Sequence, residues 1–327
     1  MSVYIRSIGA YIPEKRMTND ELAQIVDTSD EWIQSHTGIQ ARHICGEQEV
    51  TSDLAVNAGK LAMERAGLSA DDIDLVIVAT ASPDYIGFPS TSSIVQDKLG
   101  LSHSGAFDLV AGCTGFVYGL ETGRAMITAG SARNVLLIGA ETLSRITNWE
   151  DRNTCVLFGD GAGAAILSES PDPKRGIIDS ILGSEGKGAE HLVRKAGGSR
   201  EPFNGEDTPN EDLYIQMNGR QVYNFAVRVN TEIIKSLLER NSMEFDQIKW
   251  VVPHQANIRI LQAAANRLKL PMDKFFTNIH EYANTSAASI PIALNEMYET
   301  EKLEAGDTLL LTGFGAGLTY GGNLLRW

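Results

Sequence analysis

The sequence contains little cysteine and proline, and it has no long apolar run. Only Cys45, Cys113 and Cys155 occur in 327 residues, an odd number that excludes a disulfide framework and favours a reducing compartment, the cytoplasm. The 10 prolines are too few for a collagen-like or proline-rich disordered chain. No stretch approaches the ~18 apolar residues of a membrane span, and no secretion signal begins the chain. We expect a cytoplasmic globular protein without a targeting segment or membrane anchor.

Positive charge is also scarce. Lys and Arg total 28 against 42 Asp and Glu, a net charge of −14, which opposes sequence-independent binding to nucleic acid or anionic membranes. Any anionic partner must therefore meet a local basic patch. The cysteines lie too far apart to match a zinc site, so we predict no metal.

The length exceeds the ~250 residues at which one hydrophobic core stops growing, so two domains or one duplicated unit are expected. Strands alternate with helices in an α/β pattern, and residues 74–80 resemble a strand buried on both faces. Ile73 corresponds to Ile248 and Asn134 to Asp307, offsets of 175 and 173 residues. We predict a duplication with halves at 1–175 and 176–327; chance similarity is the alternative.

Local signals place several helices. Residues 18–21 and 28–31 read as capping boxes that open helices, and residues 51–66 read as a helix closed by Gly67. Residues 183–216 are rich in Gly, Pro and charge, which predicts a long excursion at the junction of the halves.

Cys113 lies in a Gly-containing turn that leads from a strand into an apolar helix. The amides and dipole of a helix N-terminus stabilise a thiolate, so this setting predicts a lowered thiol pKa and a nucleophile. An inert, buried packing cysteine is the alternative.

Two further polar groups follow apolar segments in the second half. His254 comes just after a buried strand, where strand ends of α/β sheets line ligand crevices. Asn284 precedes a helix, and the repeat offset of 173 sets Ser286 opposite Cys113. We expect these groups to converge near a pseudo-twofold centre. Alone, His254 could be a satisfied core residue and Asn284 a turn residue.

The Gly-rich stretches 158–163 and 313–317 are not phosphate-binding loops. Neither has the Gly-Lys-Ser/Thr of a P-loop, and both run into apolar, strand-like segments rather than opening a helix. These stretches predict either a close approach of the backbone to the core or a backbone amide that donates a hydrogen bond.

Six segments together resemble the signatures, in order, of the β-ketoacyl-acyl carrier protein synthase III enzymes of the thiolase-like superfamily. They are DTSDEWI (27–33), TGI (37–39), FGDGAG (158–163), VPHQAN (252–257), NTSAAS (284–289) and GFGAG (313–317). The resemblance covers essentially the whole chain. It implies a duplicated αβαβα layered fold with two halves related by a pseudo-twofold axis.

The same resemblance implies a catalytic triad of Cys113, His254 and Asn284. Cys113 would take an acyl group from acyl-CoA, and malonyl-acyl carrier protein would then enter. His254 and Asn284 would stabilise the enolate left by decarboxylation, which attacks the acyl group and so initiates fatty acid synthesis. The amides of Cys113 and Ala316 would form an oxyanion hole, with Ala316 standing where many relatives have Gly. No cofactor is implied beyond CoA thioesters as substrates.

Binding residues follow from the resemblance too. The residues implied to line the CoA site are Thr28, Trp32, Arg152, Gly219 and Asn257, with Trp32 and Arg152 enclosing the adenine. Trp32 could instead be an ordinary packed aromatic. His36 departs from the family, which commonly has Arg there for the CoA phosphates.

Arg259 matches the family's docking residue for the acidic carrier protein, and Arg267 and Lys269 on the same predicted helix could extend that patch or merely be solvated. Phe88 matches a residue that closes the partner's acyl pocket, which implies a homodimer.

Three alternatives compete with this interpretation. A degradative thiolase needs a second cysteine near the C-terminus, and the last one here is Cys155. A polyketide-type condensing enzyme could use the same triad with malonyl-CoA. A non-catalytic acyl-binding scaffold could keep the fold without activity. The primer, acetyl or a branched or longer acyl group, is left open, because pocket depth depends on packing around Phe88 and Leu143.

Overall fold

The computed structural model describes residues 2–327. The strands are β1 (Val3–Tyr11), β2 (Lys15–Thr18), β3 (Ala41–Ile44), β4 (Leu75–Ala79), β5 (Gly105–Leu109), β6 (Asn134–Glu141), β7 (Gly161–Glu169), β8 (Gly176–Ser184), β9 (Leu192–Val193), β10 (Gln216–Met217), β11 (Trp250–Pro253), β12 (Thr308–Gly315) and β13 (Thr319–Arg326). The helices are α1 (Asn19–Leu22), α2 (Asp30–Thr37), α3 (Thr51–Ala66), α4 (Thr91–Lys98), α5 (Gly115–Thr128), α6 (Arg152–Cys155), α7 (Gly219–Arg240), α8 (Ile258–Leu268), α9 (Ile279–Tyr282) and α10 (Ser289–Glu299).

Two mixed sheets form the framework. The first has the strand order β1-β7-β6-β4-β5, and the second has the order β8-β13-β12-β11. In the first sheet β4 runs parallel to β5 and β6, while β7 is antiparallel to β6 and β1. The second repeats this pattern, with β11 parallel to β12 and β13 antiparallel to β12 and β8.

Helices α5 and α10 form a layer between the two sheets. Phe116 of α5 and Leu294 of α10 belong to one buried cluster with Ile77 of the first sheet and Leu311 of the second. Because side chains alternate along a strand, each sheet has a second apolar face that needs its own cover.

Outer helices provide that cover. Leu54 of α3 packs with Val76 on the first sheet, and Ile233 of α7 and Ile260 of α8 pack with Leu310 on the second. The order helix, sheet, helix, sheet, helix confirms the predicted layered fold.

The repeat extends over three strands of each sheet at a nearly constant offset, while β5 has no counterpart in the second sheet. Strands β1, β6 and β4 correspond to β8, β12 and β11 at offsets of 173, 174 and 175 residues. The 3-10 turns 112–114 and 286–288, which precede α5 and α10, differ by 174. Cys113 therefore lies opposite Ala287 and not Ser286, one residue from the predicted pairing, because the offset varies along the chain.

The division after residue 175 stays a proposal. The strands of the first sheet lie between residues 3 and 169 and those of the second between 176 and 326, which supports it. The two units share the cluster around α5 and α10, and each also has a buried cluster of its own under its outer helices.

Helix ends agree with the sequence with one exception. Thr18 and Glu21 form the predicted capping box, and Gly67 ends α3 in the left-handed conformation. The prediction of a second capping box at residues 28–31 is wrong. Ser29 and not Thr28 caps α2, because the Ser29 hydroxyl accepts the N–H of Trp32. The excursion predicted at 183–216 lies inside the second half, between β8 and α7, rather than at the junction of the halves; it leads to the short pair β9 and β10, with 3-10 turns before each strand.

Within residues 2–327, no helix is both long enough and apolar enough to cross a bilayer.

Candidate active site

Cys113 lies in the 3-10 turn between β5 and α5. Gly112 holds this turn with φ at +53°, and a Cβ there would come 2.8 Å from the Ala316 nitrogen. A Cβ on Gly315 would come 2.5 Å from the Cys113 nitrogen. Glycine at both positions lets the 315–317 turn lie directly against the cysteine.

The Cys113 thiol does not have the lowered pKa that the helix N-terminus predicts. Part of the residue stays open to a cavity, yet burial of the sulfur raises its pKa to about 12; the nearby Ser286 hydroxyl, which forms no well-oriented hydrogen bond, lowers it, and the Glu141 carboxylate raises it. Desolvation of the charged form outweighs the helix amides here. The resting residue is a thiol, so acyl transfer needs a route for its proton.

His254 follows β11 and is buried against Ser289 and Phe314. Its Nδ1 lies 2.7 Å from Ser289 Oγ, and that oxygen also accepts the N–H of Gln255 at 3.3 Å. The Ser289 hydroxyl proton is therefore directed to Nδ1, and we assign the ring proton to Nε2. Nε2 is buried without a partner, and burial lowers the pKa of His254 to about 3. Nε2–H is thus a neutral donor.

Asn284 is fixed by its backbone and by one side-chain contact. Its N–H donates to Leu157 O at 2.9 Å, and Gly159 N–H donates to Asn284 O at 3.1 Å. Its Oδ1 accepts the N–H of Ser286 at 2.8 Å, which directs the amide NH₂ away from that turn.

The Gly-rich stretch 158–163 has a backbone-packing role in this arrangement. A Cβ on Gly159 would lie 2.7 Å from Tyr282 O, so glycine is needed for the close approach to the Asn284 loop. The stretch then runs into β7, as its apolar residues predict.

Two cavities meet at Cys113. The first, of about 230 Å³, is lined by Cys113, His254 and Asn284 and also by Trp32, Gly219 and Asn257. The second, of about 170 Å³, lies beyond the cysteine and is lined by Leu143, Phe158, Leu192 and Ile215 with Ser286 and Ala316. The structure therefore brings the three residues together, with a tunnel on one side and an apolar pocket on the other.

The predicted adenine-binding pair is closed in this structure. The Arg152 guanidinium carbon lies 4.2 Å from the centre of the Trp32 ring, and His36 stacks on Trp32 at 4.3 Å. An intercalated ring needs about 7 Å, two van der Waals contacts of ~3.5 Å. Arg152 must swing aside to admit an adenine. Thr28 Oγ1 and Arg152 Nε are buried without hydrogen-bond partners, and neither residue lines the cavity.

Gly219 and Asn257 open helices α7 and α8 at the wall of the tunnel. Asn257 Oδ1 accepts the N–H of Arg259 at 2.8 Å, and its Nδ2 donates to His36 O at 3.0 Å. Asn257 therefore ties α8 to α2, the helix that presents Trp32.

The basic residues of α8 and its end are exposed. Within residues 2–327, Arg259, Arg267 and Lys269 form no ion pair. Arg267 lines a cleft of about 700 Å³ with Lys187 and Arg228. This cleft adjoins the tunnel at Tyr223, which lines both.

Phe88 is 89% exposed, far more than the other large apolar residues around it. It lies beside exposed Tyr85 and Ile86 and does not line either cavity within this chain.

Sequence reasoning missed Ser289, Glu141 and the hydroxyl of Ser286. A signal existed for Glu141, because a charged residue ends the apolar strand segment Val135–Ala140. The serines had none, since their roles depend on contacts with other segments. Across residues 2–327, no cluster of three or more His, Cys, Asp or Glu could hold a metal ion.

Comparison with known proteins identifies the family. Residues 107–186 match the model of 3-oxoacyl-(acyl-carrier-protein) synthase III, and residues 238–327 match its C-terminal model. A β-ketoacyl-(acyl-carrier-protein) synthase III of Caldanaerobacter subterraneus is 48% identical over 99% of this chain and 97% of its own length. A second such enzyme, from Clostridium beijerinckii, is 48% identical over 100% of this chain and 99% of its own length. The crystal structure of 3-oxoacyl-(acyl-carrier-protein) synthase III from Aquifex aeolicus has a TM-score of 0.91 and 43% identity, covering 99% of this chain and 100% of that one.

Proposed function

The chain belongs to the 3-oxoacyl-acyl-carrier-protein synthase III family, and from this membership we propose that it condenses an acyl-CoA primer with malonyl-acyl carrier protein. The reaction is a decarboxylative Claisen condensation that initiates fatty acid synthesis. The protein is an acyltransferase that uses CoA thioesters as substrates and calls for no cofactor or metal.

In the first half-reaction Cys113 Sγ attacks the thioester carbonyl of acyl-CoA and CoA leaves. The backbone amides of Cys113 and Ala316 donate to the carbonyl oxygen as it becomes an oxyanion. The close approach of Gly315 to Cys113 and of Gly112 to Ala316 supports this assignment. The apolar pocket of about 170 Å³ receives the acyl chain.

In the second half-reaction malonyl-acyl carrier protein enters the tunnel. His254 Nε2–H and the Asn284 amide donate to the malonyl thioester oxygen, and the enolate that forms as CO₂ leaves attacks the acyl group on Cys113. A neutral His254 suits this role, since a donor is needed and a positive charge on the buried ring is costly.

The CoA nucleotide lies along the mouth of the tunnel. Trp32 provides a stacking surface, and Arg152 moves to cover the adenine from its other side. The remaining contacts come from Thr28, Gly219 and Asn257. The His36 ring stacks on Trp32, and His36 makes a weaker contact with the CoA phosphates than an arginine would.

The carrier protein docks on the exposed face of α8. Arg259 and Arg267 supply positive charge at the tunnel mouth, which an acidic partner needs because the chain as a whole has a net charge of −14. Neither side chain is neutralised by an ion pair within residues 2–327.

The protein acts as a homodimer in the cytoplasm, with Phe88 of each copy closing the acyl pocket of the other. The exposure of Phe88, at 89%, supports the dimer, and the three free cysteines support a reducing compartment.

One observation carries the assignment: Cys113, His254 and Asn284 line one cavity, and His254 Nε2 is buried without a hydrogen-bond partner. The test is intact-protein mass spectrometry after mixing with acetyl-CoA or longer acyl-CoAs, followed by malonyl-acyl carrier protein. Cys113→Ala serves as the control.

The proposal expects a single acyl adduct that is absent from Cys113→Ala and is discharged by malonyl-acyl carrier protein. Discharge by malonyl-CoA alone would identify the polyketide-type alternative. The absence of an adduct from every acyl-CoA would leave the non-catalytic scaffold.

A further inference from the structure

A second cavity lies beside the acyl pocket. It has a volume of about 260 Å³, and its lining is mainly polar, with the side chains of Glu47, Thr51, Ser82, Asp84, Thr142 and Arg145. Ile146 and Arg194 line this cavity and the acyl pocket alike. These two residues therefore form the wall at which the apolar pocket ends and the polar cavity begins.

Arg194 is the charged member of that wall. Among the residues of 2–327 that line the acyl pocket, no other is an Arg, Lys, Asp or Glu. Arg194 directly follows β9, whose Leu192 and Val193 line the same pocket. Its Nε donates to Leu213 O at 2.7 Å, which holds the side chain against the segment that leads into β10. A guanidinium is thus fixed at the edge of an otherwise uncharged pocket.

The terminal nitrogens of this guanidinium depend on water. Within residues 2–327 they form no hydrogen bond and no ion pair, although Glu47 and Asp84 line the polar cavity. Arg194 keeps part of its surface in water, and desolvation by the surrounding residues lowers its pKa, but an arginine stays charged in a protein. An apolar chain that covered these nitrogens would displace their water and offer no acceptor in its place, which is unfavourable.

We propose that Arg194 sets the maximum length of the acyl primer by placing a positive charge at the end of the acyl pocket, an inference that rests on the proposed function. A primer that stays within the pocket buries its methylenes against apolar side chains, and each buried methylene favours binding about fourfold. A longer primer must pass Ile146 and Arg194 and cover the guanidinium, which cancels that gain. Arg194 is therefore a specificity-determining residue, and the protein prefers short acyl primers to long ones.

The test is kcat/KM of adduct formation for unbranched acyl-CoAs from acetyl to decanoyl, measured by rapid quenching and intact mass. In wild type the value should fall once the chain is longer than the pocket. Arg194→Met removes the charge and keeps a long side chain. It should move the limit by about two carbons and raise kcat/KM for the first primer beyond the wild-type limit about three- to tenfold. Acetyl-CoA should react as in wild type, because its acyl group ends close to Cys113.

Two further variants separate the charge from other causes. Arg194→Lys keeps the charge and should keep the wild-type limit. Arg200→Met is the matched control, since Arg200 is an exposed residue of the same excursion that lines neither cavity. An unchanged limit in Arg194→Met would overturn the inference, and is the result expected if Phe88 of the partner subunit alone closes the pocket. An equal displacement in Arg194→Lys or Arg200→Met would overturn it too.

Alkyl methanethiosulfonates from methyl to octyl measure the pocket without acyl-CoA. The Cys113 sulfur forms a disulfide with the alkylthio group and methanesulfinate leaves, so the alkyl chain takes the place of the acyl chain; Cys113→Ala identifies reaction elsewhere. The same length limit should appear in wild type and move in Arg194→Met. No such limit would overturn the inference. A limit that moves in Arg194→Met, in a protein that takes no acyl group from CoA, would support the inference and overturn the proposed function.

Discussion

Replacing Ser289 with alanine tests the assignment of the His254 ring proton. In the structure Ser289 Oγ accepts the Gln255 N–H, and in the tautomer assigned above it donates its own proton to His254 Nδ1. Alanine removes that donor and leaves the backbone in place. The proton can then occupy Nδ1, and Nε2 loses the hydrogen that the malonyl oxygen needs.

The expected effect follows from the one hydrogen bond that is lost. A hydrogen bond of this kind contributes about 0.5–1.5 kcal/mol net, and 1.4 kcal/mol corresponds to a factor of ten. Because both ring nitrogens are buried, no bulk water replaces the donor. We expect discharge of the acyl adduct by malonyl-acyl carrier protein to slow by about tenfold.

The two half-reactions separate this effect from general damage. In the proposed reaction His254 acts only in the second, so adduct formation from acetyl-CoA should stay within about threefold of wild type. Ser289→Thr keeps a hydroxyl group and should recover most of the discharge rate. Equal losses in both half-reactions would refute the assigned tautomer, and so would unchanged discharge in Ser289→Ala.

Three further outcomes are expected. Trp32→Ala removes the surface on which the Arg152 guanidinium lies at 4.2 Å. The loss of a stacking contact of about 0.5–2 kcal/mol should raise KM for acetyl-CoA roughly 3- to 30-fold with little change in kcat. A fall in kcat alone in steady-state assays would contradict the stacking role. Burial lowers the pKa of His254 from 6.5 to about 3, so between these pH values the unfolded chain binds a proton at His254 that the folded chain does not. The free energy of unfolding therefore falls as the pH drops from 6.5 towards 3, by about 3 kcal/mol at pH 4.5. Urea unfolding at pH 7 and 4.5 should show this loss in wild type and a smaller one in His254→Asn. Gly315→Ala puts a Cβ 2.5 Å from the Cys113 nitrogen, a donor of the proposed oxyanion hole, and should slow adduct formation about 10²-fold or more. The control Gly186→Ala, whose Cβ meets nothing within 4 Å, should leave the rate unchanged. Equal rates in the two variants would argue against the proposed hole.

Much of the framework could be predicted because its signals are local. Apolar runs mark β4 and β6, and the cap at Gly67 depends on a few neighbouring residues. The repeat offset then indicated that the Cys113 turn and the Asn284 loop face each other. Its one-residue error arose because insertions between strands vary the offset along the chain.

The chemical state of the site could not be predicted in the same way. The helix N-terminus predicted a lowered thiol pKa, but the desolvation that raises it comes from the protein packed around Cys113, including the turn at Ala316. The closed contact between Trp32 and Arg152 likewise joins residues of different helices.

The sequence by itself determined the α/β class, the duplication, the family and the residue types available for chemistry, because periodicity, caps and motifs act over short distances. Only the tertiary structure decided which nitrogen of His254 contacts Ser289, that Cys113 rests as a thiol, and that two cavities meet at it. Those properties depend on burial and on hydrogen bonds between segments far apart in the chain, and such contacts exist only once the two sheets have packed on their shared helices.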